Sequence, residues 1–302
     1  MSDLLTHWAV FDDCRRLASR DPQMDPLLAR TMHEQREFAR LGAISRAGSL
    51  FVPHILESVR EAWESGADNE RVQRKLAFAL GGITHYAADV VMKPLMSQRA
   101  RADWNEAHDR MKRERGRASG EEEAVSIREV SAYYDVHVFR KVYLAGRAEP
   151  FNRFLVAAND TPTCQALEEF VRALFQRALL ASHTLAPDRE DLDGWLDNLL
   201  DRVQPLYVGI EYYTRAFENP DPAKLVQYGV ETAFYIDDDP AIRTARAVQG
   251  GTDITDHGLA GALVEGVNRS AYGQALETGM GKLRQASAWW QGRLDCPPDL
   301  RQ

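Results

Sequence analysis

Apolar residues recur along this chain at steps of three and four, the spacing that places them on one face of a helix. Leu4, Leu5, Trp8, Phe11 and Leu17 form the first stripe, and Val72, Leu76, Ala79 and Leu80 form a second. Leu167, Phe170, Val171, Leu174, Phe175 and Leu179 give a third, continued by Leu192, Trp195, Leu199 and Val203. The last runs from Leu263, Val264 and Val267 through Leu276, Met280 and Leu283 to Ala286 and Trp290. Alternation of the strand kind is scarce. Phe139–Leu144 (FRKVYL) is short enough to be a strand, but it can equally close a helix. The pattern predicts an all-α protein of about ten helices packed around a core rather than an up-down bundle.

Clusters of Gly, Pro, Asn and Asp punctuate the stripes at Arg20–Pro26, Gly66–Asn69, Arg115–Glu123, Gly146–Pro150, Asn159–Pro162, Asn219–Pro222 and Gly250–Asp256. Asp253 or Thr255 is placed to cap the helix that follows, and Asp237–Asp239 before Pro240 suits a helix start. A division near Asn219 would separate a helical domain, 1–218, from a C-terminal helical extension, 219–302, packed on it. No internal repeat is readable.

Composition narrows the class. With 302 residues, 44% hydrophobic and 27% charged, the chain can bury a full core. A net charge of −8 argues against nucleic acid or an anionic membrane as a partner reached by bulk electrostatics. The basic run Lys112–Arg117 is followed at once by Glu121–Glu123 and reads as a solvated segment. No apolar run approaches the ~20 residues of a transmembrane span, and no signal peptide is readable at the N-terminus. Cys14, Cys164 and Cys296 form neither a CxxC pair nor a disulfide framework. A cytoplasmic, reduced protein is the economical expectation.

The chemistry concentrates in GGITHYAADVVMKPLM, Gly81 to Met96. His85 and Asp89 are four apart, so on a helix both can reach one ion. They can equally be a polar spot on a core helix. Gly81 and Gly82 strip that face of side chains and let a backbone or a substrate come close, and Pro94 is expected to end or kink the helix. His54, between Val52 and Leu56, is expected to be buried, as a satisfied core residue or a ligand, whereas His33 sits among exposed charges. Asp12 and Asp13 can brace the first helix or orient His7. In EVSAYYDVHVF, Glu129, Tyr133 and His137 share one helix face while Ser131 and Asp135 share another, so both faces cannot meet one metal.

The stretch FALGGITHYAADVVMKPL resembles the metal-binding helix of the zinc-dependent phospholipase C family, relatives of the zinc single-strand nucleases. THWAVFDD is similar to that family's opening helix, and FARLGAIS to its LGAIxPD segment; the likeness covers roughly the first half of the chain. It implies a phospholipase C/nuclease-like helical fold with added C-terminal helices. It also implies zinc held by His85 and Asp89 with His7, and with His54 or His137 as further ligands. Asp135 or Asp12 would be the general base. Met96 stands where the family pattern has a ligand histidine and Arg46 where it has an aspartate, so one or two ions are expected rather than three. The reaction implied is hydrolysis of a phosphoester, a phospholipid or small phosphodiester, by metal-activated water. The alternative is a non-catalytic helical binding or scaffold protein that has kept the fold and lost part of the cluster. A di-iron carboxylate protein would need ExxH pairs on two helices, and the chain has none.

Overall fold

The structure, a computed structural model, describes residues 4–45, 48–67, 70–114, 120–144, 216 and 219–300. It is all-α: among these residues there is no strand. The first five helices are α1 (Leu4–Ala18), α2 (Pro26–Glu34), α3 (Arg36–Ile44), α4 (Gly48–Glu64) and the long α5 (Glu70–Glu114), whose last turn opens the basic run. Then come α6 (Gly120–Val138), closing in a π-helical turn (Phe139–Leu144), and α7 (Pro222–Gln227), followed by another such turn (Val230–Phe234). Three more, α8 (Pro240–Gln249), α9 (Asp256–Gly266) and α10 (Ala271–Trp290), complete the described chain. FRKVYL therefore closes a helix. The stripes at Leu167–Leu179 and Leu192–Val203 lie outside the described residues, as do Cys164 and Arg46.

Helix starts follow the cap chemistry that the sequence carries. Asp25 accepts from Leu27 N with Pro26 in the first turn, and Asp239 accepts from Ala241 N ahead of Pro240. Thr255 Oγ1 accepts from Gly258 N and caps α9. The apolar stripe from Leu263 to Trp290 is not one helix: a turn at 267–269 ends α9, and Ser270 caps α10 through Gly273 N. Nor does Pro94 end α5, which runs on to Glu114. The ring sits on the exposed side of the helix, where water can serve the carbonyl that loses its partner.

α5 is the spine, contacting α1, α2, α3, α4, α6 and α10. Its crossing with α3 is unusually close because glycines face each other across it. A Cβ on Gly81 would lie 1.8 Å from Ala39 O, and one on Gly42 would lie 2.0 Å from Phe78 O. Only a bare backbone fits there. α10 closes the opposite side, where Gly279 meets Cys14 Sγ on α1 and Ala87 on α5. Residues of α8 to α10 share one buried cluster with α1, α3, α4 and α5.

α1 is buried almost all round. Leu5, Ala9, Val10, Phe11, Cys14 and Leu17 are enclosed, and so are Thr6, His7, Asp12 and Asp13. A polar group in such a place must find a partner inside the protein. What those four residues pair with sets the chemistry of the interior.

A candidate metal centre between α1 and α5

His7 on α1 meets His85 and Asp89 on α5. His7 Nε2 lies 3.3 Å from Asp89 Oδ1, and His85 Nε2 lies 3.1 Å from Asp89 Oδ2. The two imidazoles stack with centroids 4.5 Å apart and planes 24° apart, so both present an edge to the same carboxylate. One ligand atom from each of the three falls within 4.8 Å of the others. Among the described residues this is the one such gathering of His, Cys, Asp and Glu.

The orientation of His85 is fixed from behind. Its Nδ1 is 2.9 Å from Ala43 O, and a carbonyl oxygen can only accept, so Nδ1 carries the hydrogen. The glycine crossing makes this contact possible, since it brings the end of α3 against the turn of α5 that carries His85. Asp89 Oδ2 also accepts from Lys93 Nζ, one turn further along α5. Burial pushes the Asp89 carboxyl up, but hydrogen bonds and charge from His7 and His85 outweigh it and hold the group far below the usual carboxylate range.

The other residues expected at the site are elsewhere. His54 is not buried: its side chain is 82% exposed and pairs with Glu57 along α4. Val52, Leu56 and Val59 turn inward, and a position two residues from Val52 points about 200° away from it. Asp135 is buried, but its carboxylate caps α1, accepting from Leu5 N (3.2 Å), Thr6 N (2.9 Å) and Thr6 Oγ1 (2.7 Å). There it answers the unpaired amides and positive dipole of a buried helix start, with both oxygens engaged at α1 rather than directed at the His–Asp cluster.

Asp12 is likewise committed. Arg36 Nε and Nη2 bind its two oxygens at 3.0 and 3.1 Å, Arg40 Nη2 reaches Oδ2 at 2.6 Å, and Tyr143 Oη donates at 3.0 Å. Burial raises its pKa, but Arg40 and Arg36 together drive the carboxyl below the ordinary range. A carboxylate so held is a poor proton acceptor. Asp13 serves Arg16 and Tyr272.

His137 is also not a ligand of this cluster. It lies at the end of α6, its Nδ1 4.0 Å from Glu231 and its ring edge-on to Tyr235. Its Nε2 is buried without a hydrogen-bond partner among the described residues. Burial and then the charge of Lys141 push the imidazole down to about 4. His137, Tyr133, Arg140, Lys141, Leu225 and Glu231 border a cavity of about 220 Å³ that none of the three cluster residues lines. The two faces of α6 do diverge as their spacing predicts. Glu129 and Tyr133 meet Lys224 and Asp221 N, while Asp135 meets α1.

Two features of the centre escaped the sequence reading. Lys93 is legible in retrospect, four residues after Asp89 and eight after His85, on the same helical face. The Ala43 carbonyl is not legible, because it is a backbone group brought from another helix. No protein-family profile, curated protein or solved structure matches this chain.

Proposed function

We propose that His7, His85 and Asp89 hold one zinc ion and that the protein uses it to hydrolyse phosphoesters. The observation that carries the reading is the hydrogen bond from His85 Nδ1 to Ala43 O. With Nδ1 protonated, the lone pair of a neutral His85 points from Nε2 at Asp89 Oδ2, another acceptor, 3.1 Å away. Two acceptors face each other at that distance only when a proton or a cation joins them. A histidine that binds metal through one nitrogen and gives its other N–H to a carbonyl has the orientation expected of a ligand. Two imidazoles and a carboxylate are a donor set found in catalytic zinc sites that keep a further position open. When bound, zinc supplies a Lewis acid for a phosphoryl oxygen and a hydroxide nucleophile at neutral pH.

The chain's own residues do the remainder. α3 holds the His85 ring, the packing of α1 against α5 keeps water from the two imidazoles, and Asp89 is the most exposed of the three. The substrate is a phospholipid headgroup or a small soluble phosphodiester. An interfacial lipase needs an exposed apolar patch at its site, and among the described side chains the exposed large apolar ones are Val226, Val264 and Leu294, none of them on α1 or on the part of α5 that carries His85, Asp89 and Lys93. No described helix is long and apolar enough to cross a membrane.

A second reading has its own observation. Lys93 already donates to Asp89 Oδ2, and an imidazolium–carboxylate–ammonium cluster is a satisfied arrangement without metal. The chain is then a non-catalytic helical binding or scaffold protein. Metal content of protein purified without added metal or a nickel column separates the two. On the zinc reading, wild type and His54→Ala carry about one zinc per chain. His85→Gln and Asp89→Asn carry none while keeping their helical circular dichroism. A wild type that holds no metal, and takes up none when zinc is added, leaves the scaffold reading. Iron in place of zinc would keep the cage and overturn the hydrolase, since this donor set also suits non-haem iron.

A further inference from the structure

Lys93 is far more exposed than the three residues it adjoins. The side chains of His7, His85 and Asp89 are 3%, 9% and 12% exposed, and that of Lys93 is 56% exposed. The Lys93 ammonium therefore marks the solvent-facing side of the cluster. Lys93 is also the one cationic side chain, besides the imidazoles, that touches Asp89 among the contacts described.

Charge then dictates the ligand. Two neutral imidazoles and one carboxylate leave a divalent ion with net charge +1, and Lys93 on the rim adds another. A dipositive, partly desolvated opening selects an anion. A compact oxyanion can offer one oxygen to a metal and accept an ammonium hydrogen bond with another. Asp89 Oδ2 accepts from Lys93 and faces His85 Nε2, so a metal held between His85 and Asp89 would compete with Lys93 for it. Metal binding draws on the same oxygen and weakens its hold on the ammonium, which stays tethered beside the opening by its own helix.

We infer, resting on the zinc reading above, that Lys93 is the substrate-binding residue of the centre. In the metal-free protein its ammonium pairs with Asp89, and once metal is held it turns to a phosphate oxygen of the incoming phosphoester. The proposal assigns a role outside the ligand set. It explains why a lysine sits at the exposed end of the cluster although a cation there opposes metal binding.

The test uses the full chain, titrated first with zinc and then, zinc-loaded, with inorganic phosphate by calorimetry. Wild type, Lys93→Gln and Lys93→Arg are compared. Lys93→Gln is expected to bind zinc as tightly as wild type or more tightly, and to bind phosphate about tenfold or more weakly, the loss of one charge-assisted hydrogen bond. Lys93→Arg is expected to keep most of the phosphate affinity. Glycerophosphocholine in solution and phosphatidylcholine vesicles, offered in parallel, show whether the phosphate is that of a soluble ester or of a lipid. Dependence on Lys93 with either one supports the inference. Equal phosphate affinity in wild type and Lys93→Gln overturns it and leaves the metal site standing. Loss of zinc in Lys93→Gln also overturns it, because Lys93 would then support the cage and not the anion. A wild type that takes up no zinc removes both readings, before any phosphate is added.

Discussion

Replacing Gly81 by alanine tests whether the close crossing of α3 and α5 builds the candidate centre. The new methyl group would lie 1.8 Å from Ala39 O, 2.7 Å from its carbon and 2.9 Å from Ala43 N, all backbone atoms, where real contacts essentially never fall below 3.0 Å. No rotamer change relieves such a clash, so the helices must part by roughly 1 Å, with overpacking costs of about 1–3 kcal/mol. The same movement stretches the 2.9 Å bond between His85 Nδ1 and Ala43 O to nearly 4 Å, beyond hydrogen-bonding reach. Losing that buried bond costs about 1 kcal/mol or more. Alanine returns about 1 kcal/mol in helix propensity. The net expectation is a loss of about 1–3 kcal/mol, read by urea denaturation, with weaker zinc uptake by the surviving fold. Gly281→Ala supplies the control: it sits in α10 with nothing within 4 Å of the added carbon, so the same substitution should stabilise by about 0.5–1 kcal/mol. A Gly81→Ala protein as stable as wild type, with zinc uptake intact, would refute the account of the crossing.

Asp12→Asn should destabilise by about 3–5 kcal/mol, because it leaves the buried Arg40 guanidinium facing a neutral amide; chemical denaturation at pH 7 reads this directly. The Asp12 carboxyl titrates lower in the folded chain than in the unfolded one. Its contribution is therefore complete above the unfolded carboxylate pKa and fades as pH falls below it. His137 acts at milder pH. Its folded pKa of about 4 lies below the ordinary 6.5, so the folded state resists protonation, and stability drops as pH falls from about 6.5 to 4, by up to about 3 kcal/mol. His137→Phe should flatten that part of the pH–stability curve, and an unchanged slope would show that the imidazole does not titrate as described.

How much of this was legible along the chain depends on the range of the forces involved. Helices and most of their starts are local: the three- and four-residue steps and Asp239 before Pro240 act over a turn or two and are legible in sequence, whereas the choice of Thr255 over Asp253 as the cap of α9 came from the structure. The shared face of His85 and Asp89 is legible too, since the pitch of a helix guarantees it. Where a signal was local but incomplete, the reading slipped. The turn after Gly266 interrupts an apolar stripe with a single glycine as its signal, and Gln35 parts α2 from α3 with neither Gly nor Pro. Neighbours of His54 are apolar, yet the rotation of α4 turns its ring to water.

Only the tertiary structure decided what the polar side chains meet. Asp12, Asp135 and His7 share α1 or its surroundings, and nothing in their spacing distinguishes a cap, an arginine-bound anion and a candidate ligand. That choice belongs to contacts 130 residues apart for Asp135 with Leu5 and 82 apart for His7 with Asp89. Gly42 and Gly81 are ordinary glycines until α3 lies on α5. Their missing methyl groups then let one backbone carbonyl reach His85 and fix which nitrogen faces Asp89. Burial makes such pairings obligatory, because a polar group withdrawn from water must be answered inside. Sequence could say that α1 carries these groups into the core, and only the packing of helices against it could say with whom they pair.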